Sequence, residues 1–368
     1  MKAVTRDRDY DCLKGLILMG LIFGGWINGH AQDVTGGAAD KEIRDRLQRL
    51  ESKLDSRMHQ LDYISKQLDD LMWYQKVGDV AEIQRVRYTG PPVYTANPKA
   101  QDAGNAIVLA QYVFIPRNLD RNSKSPLMVI THGGIHANLS ADWYATMVRE
   151  LVEQGYVVIG PEYRGSTGFG EAFYHQLDYG GKEIEDVYMG SRWALEHYPF
   201  LDQSRVGIFG WSHGGLITLL NLFEHPQAYK AAWLFAPVSN MAMRAGTKVR
   251  GGKGWATKEG YGAPSSIGAE AFDDLREYVK RSPVYNAEKL QTPLLIHGAS
   301  NDSDVHGFEV QQLIDAFKVR NKPIEYKMFS DPPGEHYFLF IDTPLARQAR
   351  LEGYKFLARL LNPPRPPK

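Results

Sequence analysis

A single cysteine, Cys12, occurs in 368 residues, so no disulfide can form within the chain and a packed core must hold the fold. Net charge is also missing, because 43 basic residues balance 43 acidic ones. That balance offers no electrostatic footprint for nucleic acid or an anionic membrane surface, and neither is expected as a partner. No group of His, Cys, Asp and Glu has metal-ligand spacing. The glycine-rich stretch GSTGFG (165–170) lacks the Gly-Lys-Ser/Thr ending of a nucleotide loop. Neither a metal nor a cofactor is therefore expected. The apolar run 15–26 is shorter than the about 20 residues that cross a bilayer.

That run does have another use. Lys2, Arg6, Arg8 and Lys14 precede it, and the small residues Gly29 and Ala31 follow. This is the layout of an export leader over 1–31, cut near Ala31, with a periplasmic or secreted product. Left uncut, it would anchor the chain to the membrane. Cys12 lies before the apolar run and so is not placed as a lipoprotein cysteine.

Residues 38–76 have a different character. Apolar side chains fall at Ile43, Leu47, Leu50, Leu54, Leu61, Ile64, Leu68 and Leu71 in steps of four and three, with Arg57 at the remaining seam position. Glycine and proline are absent from Lys41 to Val77. A seam this narrow suits a partner helix, so a coiled coil and a homo-oligomer through residues 41–76 are expected. The plainer alternative is one amphipathic helix lying on the protein's own surface.

From about Glu82 the period shortens. Strands are expected at 83–89, 107–115, 127–131, 156–160, 206–209, 231–235, 293–297 and 324–329. Helices are expected at 142–154, 182–197, 216–225, 266–281, 310–319 and 344–361. The first two strands flank a turn rich in Pro, Gly and Asn, which suits an antiparallel hairpin. After them strand and helix alternate, which implies a mostly parallel sheet with helices on both faces. Eight strands in this order fit an α/β-hydrolase fold over 82–361.

Gly210-Trp211-Ser212-His213-Gly214 follows one of these strands and precedes a helix. In that setting G-x-S-x-G is a nucleophile elbow, with glycines where the turn leaves no room for side chains. Serine needs a base, and in this fold acid and base follow in the order Ser, Asp or Glu, His. After the seventh strand, GASNDSDVHG offers Asp302 and Asp304. After the eighth, SDPPGEHYF offers His336. The oxyanion needs two amide donors, which the His213 amide and the loop His132-Gly133-Gly134 can supply. The basic segment 241–262 reads as a solvated excursion, Trp255, Tyr261 and Tyr285 as packing, and Arg164 as a loop brace.

Several stretches, in order, resemble the catalytic domain of the prolyl oligopeptidase family of serine peptidases, nearest to its acylaminoacyl-peptidase-like branch. They are THGGIH, PEYRGSTGFGEAF, GGKEIEDV, LDQSRVGIFGWSHGG, SPVYNAEKLQTPLLIHG and GEHYF. The resemblance implies Ser212 as nucleophile, His336 as base and Asp302 as acid, since Asp302-Ser303-Asp304-Val305 fits the family's D-x-x-V. One residue more than usual precedes that aspartate, which keeps Asp304 open. Family peptidases usually carry a β-propeller before this domain; here a heptad helix precedes the sheet, and filtering by a propeller is not expected. The resemblance implies a peptidase acting on short peptides. An esterase acting on acylated small molecules or glycans is the alternative. A non-catalytic coiled-coil scaffold is the third reading, and the intact set of serine, acid, base and oxyanion loop argues against it.

Overall fold

The computed structural model describes residues 38–92, 104–246, 267–268, 271 and 273–367. The leader expected over 1–31 lies outside them, as do Trp255 and Tyr261. Two compact units meet between Ser56 and Arg57. In the first, the described residues are helical, the opening turns of helix α1 (Ala38–Val77), and Ile43, Leu50 and Leu54 are exposed along it.

The second unit begins within α1 and continues through the sheet. In chain order it runs β1 (Ala81–Gly90), β2 (Ile107–Pro116), β3 (Ser125–Thr131), α2 (Ala141–Gln154), β4 (Val157–Glu162), a single turn α3 (Glu171–Tyr174) and α4 (Glu183–His197). Next come β5 (Leu201–Trp211), α5 (His213–Glu224), β6 (Ala231–Phe235), α6 (Met241–Gly246) and α7 (Leu275–Lys280). A 3₁₀ segment at Pro283–Lys289 leads into β7 (Leu294–Ala299), α8 (Gly307–Lys318) and β8 (Ile324–Phe329). A second 3₁₀ turn at Glu335–Phe340 and α9 (Pro344–Leu361) complete it.

Among the described residues eight strands form one sheet in the order β1-β2-β4-β3-β5-β6-β7-β8. The first pair is the antiparallel hairpin the turn composition implies, and β2 is also antiparallel to β4. Every other pairing is parallel. The continuous apolar runs follow from this, because a strand covered on both faces has no solvated side: β3, β4, β6 and β7 are buried throughout. The chain leaves β3 for β4 on one side and returns to β5 on the other. Such a reversal opens a crevice at the carboxyl ends of the strands, where ligands bind in open α/β sheets. This is an α/β-hydrolase architecture.

Several elements differ from expectation: β5 starts at Leu201, and Met241–Gly246, the described start of the segment read as a solvated excursion, is helical with Met241 and Arg244 buried, because Arg244 pairs with buried Glu309. Of the helix read at 266–281, positions 266, 269, 270 and 272 lie outside the described residues; Leu275–Lys280 is helical, and the Asp274 carboxylate accepts from the Glu277 amide at 3.2 Å to start it. The helix read from Leu216 starts three residues earlier, at His213, with Ser212 itself as the cap residue.

In the second unit α1 has two characters. Trp73 and Val77 are fully buried, and the Trp73 ring packs on Phe114 of β2 at 4.7 Å between centroids. The heptad residues Leu61, Ile64, Leu68 and Leu71 remain 49 to 66% exposed. The helix therefore docks on the domain by one face and presents the seam on another. Trp73→Ala is expected to lower unfolding stability by about 3–5 kcal/mol, the usual loss for a fully buried large aromatic. Leu68→Ala is expected to change it by less than about 1 kcal/mol. Urea melts of both variants check this, and equal losses would contradict the assignment of the two faces.

Candidate active site

Ser212 ends β5 with φ 57° and ψ −119°, a conformation that non-glycine residues rarely adopt. The surroundings hold it there. Its amide donates to the Phe235 carbonyl at 3.1 Å, and its carbonyl accepts from Gly215, Leu216 and Val238 at 2.9, 3.2 and 3.1 Å. The glycines are needed for closeness. A Cβ on Gly210 would lie 2.3 Å from the Gly214 carbonyl oxygen, and one on Gly214 would lie 2.2 Å from that of Thr131. The Thr131 hydroxyl fills the remaining gap, lying 2.8 Å from the carbonyl oxygens of both Phe209 and Gly214.

His336 and Asp302 reach the same edge from the ends of β8 and β7. His336 Nδ1 lies 2.7 Å from Asp302 Oδ2, and both side chains are buried. The other oxygen, Asp302 Oδ1, accepts from the amides of Asp304 and Val305, each at 2.8 Å. The stretch before Asp302, where the extra residue lies, closes a turn in which the Asp302 amide donates to the Ala299 carbonyl at 3.4 Å. Asp304 enters the arrangement through its amide, and its carbonyl faces Arg244 at 3.3 and 3.4 Å. Arg244 in turn pairs with buried Glu309 at 2.9 Å, and Glu309 accepts from the amides of Ser239 and Asn240. That buried pair ties the acid loop to the loop after β6.

The oxyanion candidates separate. The Gly133 amide already donates to the Tyr144 hydroxyl at 2.8 Å. The amides of Gly134 and His213 have no hydrogen-bond partner among the described residues. Gly134 is at φ 79°, which turns the loop after β3. The His213 imidazole is buried with Nε2 3.1 Å from Glu183 Oε1, and Glu183 Oε1 accepts from the Gly180 amide at 2.6 Å. Burial lowers the His132 pKa to about 3, so this ring is neutral at pH 7.

Sequence reasoning missed an aromatic wall. The Trp211 indole N–H donates to the His336 carbonyl at 3.0 Å, tying the loop of the histidine to the serine turn. Trp143 stacks on Tyr337 at 4.9 Å, and Tyr337 meets Trp211 edge-on at 5.4 Å. The only sequence signal was Trp211 inside the elbow; Trp143 and Tyr144 sit on α2 at ordinary helical spacing. Tyr285 is 46% exposed and forms no part of this wall as packing would require. Arg164 is the brace expected of it: its guanidinium meets both oxygens of buried Asp186 at 2.7 Å and donates to the Pro91 carbonyl at 2.9 Å.

Comparison with known proteins places relatives among peptidases. The dipeptidyl aminopeptidase BIII of Pseudoxanthomonas mexicana is 29% identical over 286 residues, 75% of this chain and 40% of that protein. The acylamino-acid-releasing enzyme of Homo sapiens is 28% identical over 249 residues, 66% of this chain and 32% of that protein. The solved acylaminoacyl peptidase of Pyrococcus horikoshii shares the fold, with a TM-score of 0.63 at 20% identity over 79% of this chain and 43% of that one. The chain spans less than half the length of these relatives. The model of the prolyl oligopeptidase family matches residues 140–363, which take in the serine turn, the acid loop and the histidine loop. On that match, the chain belongs to the prolyl oligopeptidase family of serine peptidases.

Proposed function

We propose that this chain is a serine hydrolase that cleaves short peptides through an acyl-enzyme on Ser212. The observation that carries the reading is the 2.7 Å contact of His336 Nδ1 with Asp302, at the sheet edge where Ser212 is held in its strained turn. Ser212 Oγ attacks the scissile carbonyl while His336 Nε2 takes its proton. Asp302 keeps the Nδ1–H tautomer and balances the imidazolium. The amides of His213 and Gly134 receive the oxyanion, because the Gly133 amide is already engaged by Tyr144. His336 then hands its proton to the leaving amine, and water, deprotonated by the same imidazole, releases the acyl group and restores the serine. Peptides are preferred as substrates because the relatives are named as peptidases.

Ser212→Ala is expected to abolish labelling by a fluorophosphonate probe, and persistent labelling would remove Ser212 from the reaction. Asp302→Asn is expected to lower kcat about 10⁴-fold, since the wrong tautomer is then favoured. Asp304→Asn keeps the backbone amide that Asp302 uses and is expected to stay within about tenfold of wild type. The reverse ranking in steady-state assays would transfer the acid role to Asp304. A panel of peptide amides beside acyl esters tests the substrate class, and turnover of esters alone would favour the esterase.

The exposed seam of α1 supports self-association by helix pairing, with a second copy of the chain as partner. The pair Leu61→Lys and Leu68→Lys is expected to reduce the sedimenting mass to that of one 41.5 kDa chain. An unchanged mass, or a wild type that already sediments as one chain, would exclude assembly through this face.

A further inference from the structure

The proposed reaction makes no use of Lys66, the most deeply buried lysine among the described residues. Lys66 lies on α1 with its side chain fully buried. Its amino group is 2.8 Å from Asp70 Oδ1 and 3.6 Å from both Asp69 Oδ2 and Glu162 Oε1, and it hydrogen-bonds the Tyr112 hydroxyl. Helix faces rarely spend a fully buried lysine where an apolar residue would pack, because removing the charge from water is unfavourable unless its partners compensate. What these partners touch gives the arrangement a direction.

Glu162 ends β4 beneath the loop that runs from His132 to Ser140. Both its oxygens accept from the Leu139 amide at 3.3 Å, and Oε2 lies 3.4 Å from His132 Nε2. The Ser166 hydroxyl, 3.0 Å from the same Nε2, already donates its proton to the Tyr163 carbonyl. On the other side of the ring, Nδ1 lies 3.1 Å from the Gly133 carbonyl and 3.0 Å from the Tyr163 hydroxyl. The other oxygen of Asp69, Oδ1, accepts from the Ala141 amide at 2.7 Å, at the start of α2. Two residues of chain, Asp142 and Trp143, separate Ala141 from Tyr144, whose hydroxyl receives the Gly133 amide. Groups that Lys66 gathers thus hold the far end of the loop by hydrogen bonds to Leu139 and Ala141, and Glu162 stands beside His132 at its start.

We propose that Lys66 is a positioning residue for the reaction: through Glu162 and Asp69, helix α1 fixes the loop that presents the Gly134 amide to the oxyanion. This rests on the serine-hydrolase reading and adds to it a role for the helix. The N-terminal segment is then part of the acyl-transfer apparatus as well as a means of assembly.

The arrangement has a pH signature. Burial pushes the Glu162 carboxyl up to about 7, and the Lys66 charge works against that rise. The other charged and titratable groups around Glu162 are Asp69, Asp70 and Arg85, with His132 at Nε2. The phenols of Tyr88, Tyr112, Tyr144 and Tyr163 complete its surroundings. Above its pKa Glu162 is the carboxylate that accepts from Leu139 and pairs with Lys66; below it that hold weakens. Removing Lys66 removes an influence that favours the carboxylate, so the pKa rises further and the loop loosens at a higher pH.

The test uses the full chain and a peptide amide or acyl ester that the wild type turns over. Lys66→Met is expected to lower kcat about tenfold or more with KM within about threefold, because the loss falls on the transition state. The acid limb of its kcat profile is expected to move to higher pH. Adding Glu162→Gln to Lys66→Met is expected to abolish that displacement, which a merely structural role would not do. If Lys66→Met does not fold by circular dichroism, Glu162→Gln alone decides, since it keeps the shape of the side chain. Its kcat is expected to fall about tenfold or more with an acid limb one proton shallower. An active wild type beside folded variants with unchanged kcat and pH profile overturns this proposal alone. A wild type that neither turns over substrate nor reacts with the fluorophosphonate overturns the serine-hydrolase reading and this one with it.

Discussion

The chain passes from β5 into α5 through a space that admits no side chain at Gly210 or Gly214, and the functional geometry depends on that closeness. With the backbone of Gly214 lying against Thr131 and His132, the serine turn and the loop after β3 become neighbours. The Thr131 hydroxyl, shared between the carbonyls of Phe209 and Gly214, ties β3, β5 and α5 into one unit. Asp302 and His336 then need only arrive from β7 and β8, beyond β6, and parallel connections deliver them to the same edge.

Buried ion pairs stand behind each of the loops that meet there. Arg164 with Asp186 supports the segment after β4, Arg244 with Glu309 the loop after β7, and Lys66 with Asp70 and Glu162 the loop after β3. Pairs of this kind contribute little net stability compared with apolar packing, yet removing one partner is costly because the other is left charged and dry. They suit places where a loop must adopt one position rather than many. Each also donates to or accepts from main-chain groups, so its geometry is transmitted directly to the backbone.

Much of this was legible in the sequence. Strands buried on both faces leave continuous apolar runs, so their order was readable, and Ser212 and His336 each follow such a run. Asp302 and Asp304 were not separable from residue type, because the choice lies in how a turn folds around one carboxylate. The docked face of α1 was hidden for a different reason. Its stripe contains Lys66, Asp69 and Asp70, which by residue type read as solvated charges, while the more regular leucine seam drew attention to the opposite side. Tyr144 carries no local signal at all; its role arises only because α2 lies against the loop after β3.

The serine turn has a thermodynamic consequence for the whole domain. A non-glycine residue at φ 57° costs about 1–3 kcal/mol, and that strain persists only while its neighbours leave the backbone no alternative. The reactive conformation is therefore uphill locally and stable only globally, like a spring held shut by its housing. Lesions remote from the edge that slacken the housing would let this turn relax first, so competence would fade over a range of conditions in which the chain as a whole is still folded.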